Sequence, residues 1–473
     1  MAIVLAEPTQ YELSADIVII GAGAGGLIAA LAARDEAHVD TSILLLERDR
    51  NPSGSTSLSS GFIPAAGTRL QREKGIEDSP ELFAGDVQAK AKGLSHQPLV
   101  NTVVTEVGST LEWLMNTHGL PLILLDGFLY PGHSVLRMHA MPEKTGAALQ
   151  TALLEAAQCC DVTIACNQNV EILYKNYRGS ITGVGVRSQN GTIQKVGCAA
   201  VILACNGYGA NSELVKEYIP EMTYSHYFGH PGNQGEAVLW GKKLGAKLAD
   251  MSGYQGHGSV AWPQGALISW AVMMEGGVLI NTKGLRFTNE HEGYSEQAAR
   301  VMAQPDQTGY ALFDERLLIF GRGFPDFAEA EKAGAVISAK DILDLAKNLK
   351  IPASGLRQTL EDIAACQQGG KIDNFGRDFT EKPNLTPPYY AIRVKGALFH
   401  TQGGLDVDSN ARVLNKSELP LPNLFAVGGA ARGVSGPDVS GYLSGNGLLT
   451  AVALGRVAGR GAARLILQQD QMI

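Results

Sequence analysis

The stretch Asp16-Ile-Val-Ile-Ile-Gly-Ala-Gly-Ala-Gly-Gly-Leu27 decides the fold that the sequence predicts. Its apolar run, 17–20, is too short for a buried helix and is typical of a buried parallel strand. Three glycines with GxGxxG spacing follow, at the start of an apolar helical segment: Gly21, Gly23 and Gly26. We expect Gly21 to permit a tight turn, Gly23 to let the backbone approach a pyrophosphate, and Gly26 to bring helix and strand together. The N–H groups and dipole of the helix N-terminus would then face the phosphates.

A second apolar strand, 43–46, ends in Glu47, which stands 21 residues after Gly26. At this position a carboxylate binds the ribose hydroxyls of an adenosine in dinucleotide-binding folds. The glycine motif alone is weak evidence, but strand, glycines, helix, strand and terminal acid in this order are specific. The hydroxyl-rich segment 53–61 comes next. It is either a flexible loop or, as its position favours, a loop whose backbone and hydroxyls lie on a flat, polar cofactor ring.

The composition is that of a well-buried globular chain with more than one domain. A length of 473 residues predicts roughly two to four domains. The net charge of −8 and the lack of a Lys/Arg cluster argue against a nucleic-acid partner. The six cysteines show no CxxC or zinc-ligand spacing, so we predict no metal site and a reducing, cytoplasmic location. The N-terminal segment does not resemble a secretory signal, and the longest apolar stretches are rich in glycine, so we predict no membrane span.

Hydrophobic periodicity predicts one split domain with an insertion. Apolar residues at every third or fourth position predict a helix over 81–118, and alternation around Asn190-Gly191 predicts a hairpin followed by a separate buried strand, 199–204. The periodicity weakens after about residue 255, and strand character returns near residue 389. We therefore predict an α/β fold in which 1–254 and 391–473 form one domain and an α+β domain, 255–390, is inserted.

Five blocks show that the chain resembles the flavoprotein family of fumarate reductases, succinate dehydrogenases and 3-ketosteroid dehydrogenases. They occur in the family's order: GAGAGG with Glu47; Ser55 to Gly61; GGVLINTKGLRFTNE, 276–290; HTQGGLDVDSNARV, 400–413; and GYLSGNGLLT, 441–450, running on to Gly459. The resemblance implies an FAD-dependent oxidoreductase acting on CH–CH groups, with a Rossmann-like FAD-binding domain and an inserted cap domain. Segment 55–61 has no histidine where covalent members attach the flavin, so non-covalent FAD is expected.

The resemblance also implies which residues bind FAD. They lie in the glycine-rich loop, at the ribose acid, in the hydroxyl-rich segment, at backbone positions beyond it and in the last helix: Gly21, Gly23, Ala24, Gly25, Gly26, Glu47, Arg48, Ser55, Thr56, Ser59, Ser60, Gly61, Val170, Asn206, Gly428, Asn446, Gly447 and Leu448. One position departs from the family. The residue after Gly428, commonly acidic there, is Gly429, so the usual ribityl contact is not expected from it.

Two further departures concern the substrate. Dicarboxylate-reducing members have a proton-donating arginine after the RF-NE element, and this chain has Tyr294. They have a carboxylate-binding arginine four residues before the asparagine of the last helix, and this chain has Tyr442. A dianion needs cations, which two tyrosines do not supply. Ketosteroid-type members, by similarity, use tyrosines at both places: a base beside the ketone and a hydrogen-bond donor to the ketone oxygen.

The replacements predict a desaturase that introduces a C=C bond α,β to the ketone of a cyclic substrate. Tyr442 and an N–H near residues 445–446 would stabilise the enolate oxygen. Tyr294, as phenolate, would take the α-proton, and the β-hydrogen would leave as hydride to flavin N5. A free tyrosine has a pKa of about 10, so Tyr294 would need a partner or a positive field near neutral pH. The alternative is an enoate or dicarboxylate reductase of the fumarate class, in which Arg300 or Arg432 replaces the missing arginines.

His257 and His400 match positions that contact substrate in the dicarboxylate members. Together they suit a polar substrate such as a 4-oxocyclohexanecarboxylate, as an alternative to a 3-ketosteroid, and Arg137 or Arg432 would bind its carboxylate.

For the four candidate catalytic residues, Tyr294, Tyr442, His257 and His400, the alternative is an ordinary structural role. The HTQGG block argues against a third interpretation, a non-enzymatic flavin- or dinucleotide-binding module. The sequence does not identify the electron acceptor.

Overall fold

The computed structural model describes residues 3–188 and 190–470. Its strands are β1 (Ile3–Ala6), β2 (Leu13–Ile20), β3 (Ile43–Leu46), β4 (Ile63–Pro64), β5 (Ile123–Leu124), β6 (Met138–Ala140), β7 (Thr163–Ala165), β8 (Asn169–Lys175), β9 (Ile181–Arg187), β10 (Ile193–Leu203), β11 (His226–Tyr227), β12 (Leu248–Ala249), β13 (Tyr254–Ala261), β14 (Val278–Ile280), β15 (Thr308–Asp314), β16 (Val336–Ala339), β17 (Tyr389–Thr401), β18 (Gly404–Leu405), β19 (Arg412–Leu414) and β20 (Pro420–Ala426).

The helices of the same residues vary from a single turn to seven turns. They are α1 (Ala24–Glu36), α2 (Gly54–Leu58), α3 (Arg69–Glu73), α4 (Pro80–Lys90), α5 (Gln97–Asn116), α6 (Gly146–Cys159), α7 (Ser212–Tyr218), α8 (Glu236–Leu244), α9 (Ala271–Met274), α10 (Tyr294–Met302), α11 (Glu315–Gly321), α12 (Pro325–Lys332), α13 (Ile342–Leu349), α14 (Ala353–Gln367) and α15 (Asn446–Asp470). Short 3-10 turns lie at Pro220–Met222, Pro305–Gln307, Gly428–Ala430 and Val439–Gly441. No helix of the described ranges is both long and apolar enough to span a membrane.

The chain divides into two compact units. The first comprises Met1–Tyr218, Gly229–Tyr254 and His400–Ile473, and the second comprises Ile219–Phe228 and Gln255–Phe399. Both combine helices with a sheet, so the predicted mixed α/β fold class is confirmed.

The sheet of the first unit runs in the order β1-β8-β9-β10-β2-β3-β7, with β20 also paired to β10. β2 is parallel to both β10 and β3, and β3 is parallel to β7. The side chains of Ile17, Val18 and Ile19 are fully buried, as the apolar run predicts for a strand covered on both faces.

Two predictions of local structure were wrong. The predicted helix over 81–118 is two helices, α4 and α5, because Lys92 and Gly93 adopt left-handed backbone angles, with φ of 53° and 77°. The second strand of the predicted hairpin and the buried strand 199–204 are one continuous strand, β10. Its first half pairs antiparallel with β9, and its second half pairs in parallel with β2 and β20.

Helix α1 packs against the sheet and against α15 at unusually short range, because small residues line both contacts. A Cβ atom on Gly26 would lie 1.9 Å from the carbonyl oxygen of Gly21. On the other side, a Cβ on Gly459 of α15 would lie 2.2 Å from the carbonyl oxygen of Ala29. The backbones therefore approach to distances that only glycine allows. Consequently the N-terminus of α1 is held beside the second and third turns of α15, where a Cβ on Gly25 would lie 3.7 Å from the Cα of Ala451.

The second unit contains a smaller sheet with the order β11-β17-β15-β14, in which β13 and β16 also pair with β17. β15 and β16 run antiparallel to β17. Its core is apolar and includes Phe313, Leu317 and Phe327, whose side chains are fully buried. Helix α10 begins at Tyr294, after Gly293 with φ of 136°.

Replacing Gly26 with alanine should lower the free energy of unfolding by about 1–3 kcal/mol, because the added methyl group meets backbone that cannot move aside. Thermal unfolding of the two proteins, compared by circular dichroism, measures the difference. The control is Gly85→Ala, in the exposed interior of α4, where no atom lies within 4 Å of the added Cβ. This variant should be more stable by about 0.5–1 kcal/mol. Equal effects of the two substitutions would contradict the packing argument.

Candidate active site

The glycine-rich turn of the first unit is organised around the N-terminus of α1. Gly21 has φ of 107°, a conformation that side chains rarely adopt. The backbone N–H of Ala24 donates to Thr56 Oγ1 at 3.0 Å. Glu47 lies at the carboxyl end of β3, and its carboxylate accepts hydrogen bonds from the N–H groups of Ala22 (2.8 Å) and Asp49 (2.9 Å). The carboxylate is thus fixed beside the turn and keeps lone pairs for a ligand hydroxyl.

Among the buried side-chain oxygens of this unit that have no hydrogen-bond partner, those of Gln150 and Asn446 lie on residues that contact the glycine-rich turn or begin α15. Gln150, in α6, donates from Nε2 to the carbonyl oxygen of Ala22 at 2.6 Å, while its Oε1 is unpaired. Asn446, at the start of α15, is fully buried, and its Oδ1 is also unpaired. Burying such groups unpaired is costly, so both oxygens fit a ligand with N–H or O–H donors. Sequence reasoning missed Gln150, whose signal is a polar residue on the apolar face of α6.

The hydroxyl-rich segment 53–61 is partly helical, as α2, and three of its six hydroxyls, those of Ser55, Thr56 and Ser59, bind protein groups. Ser55 Oγ accepts from the Nδ2 groups of Asn206 (2.7 Å) and Asn233 (3.0 Å). Ser59 Oγ donates to the carbonyl oxygen of Thr56 at 2.7 Å. These hydroxyls organise the segment. Contact between the cofactor and the backbone of Ser55, Thr56 and Ser59 remains a prediction. The same holds for contact by Ser60 and Gly61.

Asn206 fills the space beside Gly429, where the family commonly has an acid. Asn206 has a left-handed backbone, with φ of 64°. A Cβ on Gly429 would lie 2.1 Å from Asn206 Oδ1 and 3.0 Å from His400 Nε2. No side chain at position 429 fits, because the amide of Asn206 occupies its place. The absence of a side chain at position 429 is therefore what makes room for the amide of Asn206.

The remaining predicted FAD residues lie on the same unit. Gly447 and Leu448 belong to the first turn of α15, and Gly428 begins a 3-10 turn with φ of 56°. Val170 stands next to a register shift between β8 and β9. Arg48 donates to the carbonyl oxygen of Gly232 at 2.8 Å.

His400 and Tyr442, two of the candidate catalytic residues, also belong to the first unit. His400 is only partly exposed, and desolvation lowers its pKa to about 4, so its imidazole is neutral at pH 7. Tyr442 is 6% exposed and follows the 3-10 turn Val439–Gly441. The backbone just after Tyr442 is held by His133, whose Nε2 donates to the carbonyl oxygen of Ser444 at 3.0 Å.

His257 and Tyr294 are brought together in the second unit. Their rings stack with centroids 5.0 Å apart and planes inclined by 24°. The His257 ring also stacks on Phe399, with centroids 5.5 Å apart. Its Nδ1 accepts from the N–H of Ser259 at 3.2 Å, so the ring proton of the neutral imidazole is on Nε2. Burial lowers the pKa of His257 to about 3, so this ring is also neutral at pH 7.

The RF-NE element, which precedes Tyr294, forms a buried ion cluster. Glu290 is fully buried, and its carboxylate binds Arg286 at 2.8 Å and Arg377 at 2.9 Å. Burial alone would raise the pKa of Glu290, but the two guanidinium groups outweigh it and lower the pKa. The carbonyl oxygen of Glu290 accepts from the indole N–H of Trp270 at 3.0 Å. The motif therefore fixes the chain that leads into α10.

The arginines that the sequence offered as carboxylate ligands are all ion-paired. Arg137, predicted to bind a substrate carboxylate, is instead fully enclosed, with Asp78 at 3.0 Å and Asp86 at 2.6 Å. Arg432 binds Asp250 at 2.6 Å and lies 3.4 Å from Asp406. Arg300 pairs with Glu292 and donates to Thr288 Oγ1 at 2.6 Å. The charge of each of these arginines is thus already compensated by at least one carboxylate of the protein.

Comparison with known proteins decides what this arrangement is. Residues 16–448 match the FAD binding domain family, a match that covers most of the chain. The chain belongs to this family. FAD is therefore its cofactor, as predicted. The fixed Glu47, the helix N-terminus behind Gly21 and the unpaired amide oxygens of Gln150 and Asn446 fit FAD as donors and acceptors.

Relatives of this FAD-binding chain include both reductases and dehydrogenases. A probable fumarate reductase of Shewanella frigidimarina is 28% identical over 96% of the chain and 75% of its own length. A 4-oxocyclohexanecarboxylate 2-dehydrogenase of Sinomonas cyclohexanicum is 24% identical over 94% of the chain and 92% of its own length. The fold is shared with a 3-ketosteroid-Δ4-(5α)-dehydrogenase of Rhodococcus jostii, with a TM-score of 0.78 and 24% identity over 98% of this chain and all of that one.

The protein is an FAD-dependent oxidoreductase acting on CH–CH groups. The predicted family, enzyme class and cofactor are confirmed by these matches. In the described part of the chain no cluster of His, Cys, Asp or Glu side chains has the arrangement of a metal site. The roles of individual side chains remain predictions.

Glu290→Gln should lower the free energy of unfolding by about 3–5 kcal/mol. It removes the negative charge that lies between the buried guanidinium groups of Arg286 and Arg377. Urea unfolding followed by circular dichroism measures the change. The control is Glu331→Gln, which breaks the surface pair between Glu331 and Arg322 and should cost less than about 1 kcal/mol. A loss at Glu290 no larger than that of the control would show that the cluster does not stabilise the second unit.

Proposed function

We propose that the protein is a desaturase that introduces a C=C bond α,β to the ketone of a cyclic substrate, a 3-ketosteroid or a small oxocyclohexane carboxylate. The observation behind this proposal is the replacement of two arginines of the dicarboxylate members by Tyr294 and Tyr442. The ion pairs of Arg137, Arg300 and Arg432 support it, because those cations are already neutralised.

The charge state of the candidate residues suits an uncharged acceptor. His257 and His400 are neutral at pH 7, because burial lowers their pKa values to about 3 and about 4. Neutral N–H and O–H groups bind a ketone oxygen well but do not offset the two charges of a dicarboxylate. His257, His400 and Tyr442 would thus act as donors without net charge, and the Tyr294 phenolate would be the one charged reacting group.

Each tyrosine has a defined part in this chemistry. A C–H beside a ketone becomes acidic when hydrogen bonds stabilise the developing enolate oxygen, and Tyr442 O–H would donate that bond. Tyr294, as phenolate, would take the α-proton on its oxygen. The β-hydrogen leaves with its electron pair, for which bound FAD supplies the acceptor. The bond pair of the α-C–H then forms the new C=C bond, so atoms and electrons balance.

An aromatic cluster in the first unit supports a substrate that contains an apolar ring. The rings of Phe62 and Tyr130 lie 6.0 Å apart, and those of Phe128 and Tyr130 lie 4.9 Å apart, in edge-to-face contact. Phe128 is 54% exposed, which is unusual for a phenylalanine. The loop that bears Phe128 and Tyr130 continues to His133, which holds the backbone at Ser444, close to Tyr442 in the chain.

The second candidate is an enoate or dicarboxylate reductase. Its support is the name of the Shewanella frigidimarina relative, a probable fumarate reductase, which is more similar to this chain (28% identity) than the ketone dehydrogenase (24%). Such a reaction would need a cation that the residues discussed above do not provide. The physiological electron acceptor is open under both candidates.

We also propose a cytoplasmic location, supported by six cysteines that are all free thiols.

The substrate is tested with purified holoenzyme under anaerobic conditions. A cyclic ketone added without reductant should bleach the visible absorbance of the bound flavin, because the ketone is the electron donor. The matched control is the same ring without its carbonyl group, which should leave the spectrum unchanged. Fumarate added to the chemically reduced enzyme should not restore the absorbance. Restoration by fumarate, together with no bleaching by ketones, would favour the reductase.

Tyr294→Phe removes the proposed base and keeps the ring that stacks on His257. We expect kcat for a ketone substrate to fall by about a hundredfold or more, since general base catalysis typically contributes this much. FAD content should be unchanged. The control is Tyr177→Phe, at a tyrosine that is 88% exposed, which should retain wild-type kcat. Wild-type turnover by Tyr294→Phe would remove this residue from the mechanism.

A further inference from the structure

A chain of side-chain hydrogen bonds in the first unit connects the start of α15 to His400. Asn446 Nδ2 donates to Ser435 Oγ at 2.9 Å, and Ser435 Oγ donates to Gln402 Oε1 at 3.0 Å. Gln402 Nε2 lies 2.9 Å from His400 Nδ1. The chain thus ends on one specific nitrogen of a candidate catalytic ring.

The donor and acceptor roles along this series of hydrogen bonds determine which atom donates between Gln402 and His400. Asn446, Ser435 and Gln402 are 0%, 1% and 3% exposed, so water does not supply alternative partners to most of their polar atoms. An amide –NH₂ group has no lone pair to accept a hydrogen bond, so Gln402 Nε2 donates. His400 Nδ1 must then be the acceptor, without a proton. In a neutral imidazole the proton is consequently on Nε2.

The backbone holds the Gln402 amide in this orientation. The N–H of Gln402 donates to the carbonyl oxygen of Gly253 at 2.8 Å, and its carbonyl oxygen accepts from the N–H of Gly433 at 2.7 Å. A Cβ on Gly433 would lie 3.0 Å from Gln402 Oε1, so the backbone of residue 433 lies against the carbonyl side of the amide. On the other side lies Gly447 in the first turn of α15: a Cβ there would lie 4.0 Å from both Gln402 Nε2 and His400 Nδ1.

We propose that Gln402 is a positioning residue that fixes His400 as the Nε2–H tautomer, and that Ser435 and Asn446 fix Gln402 in turn. His400 then presents a neutral N–H donor from Nε2, suited to a carbonyl oxygen. The choice of a carbonyl as its acceptor rests on the proposed function, whereas the tautomer does not. His257 in the second unit has the same tautomer by a different route, since its Nδ1 accepts from the backbone N–H of Ser259.

The neutral charge of His400 does not by itself select the tautomer. Desolvation lowers the pKa of His400 to about 4, and at pH 7 this leaves a neutral ring that could bear its proton on either nitrogen. The partner of Nδ1 makes the selection. A wrong tautomer would turn the free nitrogen from donor into acceptor, which repels a carbonyl oxygen instead of binding it.

The test uses holoenzyme with ¹⁵N-labelled histidine and long-range ¹H–¹⁵N NMR at pH 7, without substrate. The signals of His400 are assigned by their loss in His400→Gln. The wild-type ring should show the Nε2–H pattern. In Gln402→Glu the carboxylate only accepts hydrogen bonds, so the ring proton should move to Nδ1. The matched control is Gln368→Glu, at an exposed residue after α14, which should leave the His400 signals unchanged.

Activity gives an independent measurement for any substrate that the wild-type enzyme converts. Gln402→Met removes the hydrogen bond without adding charge and should lower kcat/KM by about fivefold to tenfold, the worth of one hydrogen bond, with normal FAD content. The Nδ1–H pattern in wild type, or an unchanged Nε2–H pattern in folded Gln402→Glu, would overturn the proposal. A tautomer switch in an enzyme that does not oxidise ketones would uphold the role of Gln402 and refute only the ketone substrate.

Discussion

The close approach of α1 to both the sheet and α15 is the constraint on which the FAD-binding unit depends. Glycines at positions 26, 455 and 459 remove the side chains that would keep these backbones apart; a Cβ on Gly455 would lie 2.7 Å from the carbonyl oxygen of Gly25. The gain is dispersion and apolar burial along two whole helices. The two helices run side by side in the same direction, because Gly25 of α1 lies against Ala451 and Gly455 of α15, and Ala29 lies against Gly459. The N-terminus of α1 is thereby fixed, and its N–H groups and positive dipole end suit the pyrophosphate of the cofactor.

The same unit deals with buried charge by pairing it locally. Arg137 is held between Asp78 and Asp86, and Arg432 between Asp250 and Asp406. In the second unit the carboxylate of Glu290 lies between Arg286 and Arg377 and pairs with both. Charges that the low-dielectric interior would otherwise penalise are thereby neutralised. The two candidate catalytic histidines are themselves neutral at pH 7, because burial lowers their pKa values, and this favours the proposed chemistry at a ketone over the binding of a dianion.

The roles of several residues in the site could not be predicted from patterns in the sequence. Gln402 stands within a block that the family resemblance had already drawn attention to, but its partners, Ser435 and Asn446, are 33 and 44 residues further along the chain. Gln150 is polar on a helix whose other inward residues are apolar, a weak signal at most. Asn206 and Gly429 are separated by more than two hundred residues, and only their contact explains why position 429 lacks a side chain. Hydrogen-bond networks of this kind depend on distances that periodicity and spacing do not encode.

The sequence by itself determined the first βαβ unit, the family and FAD, because glycine spacing, strand length and the terminal Glu47 are local properties of consecutive residues. It also located the tyrosines at 294 and 442, through their offsets from neighbouring motifs. It mispredicted α4 and α5 as one helix, since the apolar stripe continues across the left-handed residues Lys92 and Gly93. Only the tertiary structure decided that the candidate arginines are ion-paired, which side chain binds Nδ1 of His400 and where unpaired amide oxygens lie. Those properties arise from groups distant in the chain, whose energies depend on burial and direction rather than on sequence neighbours.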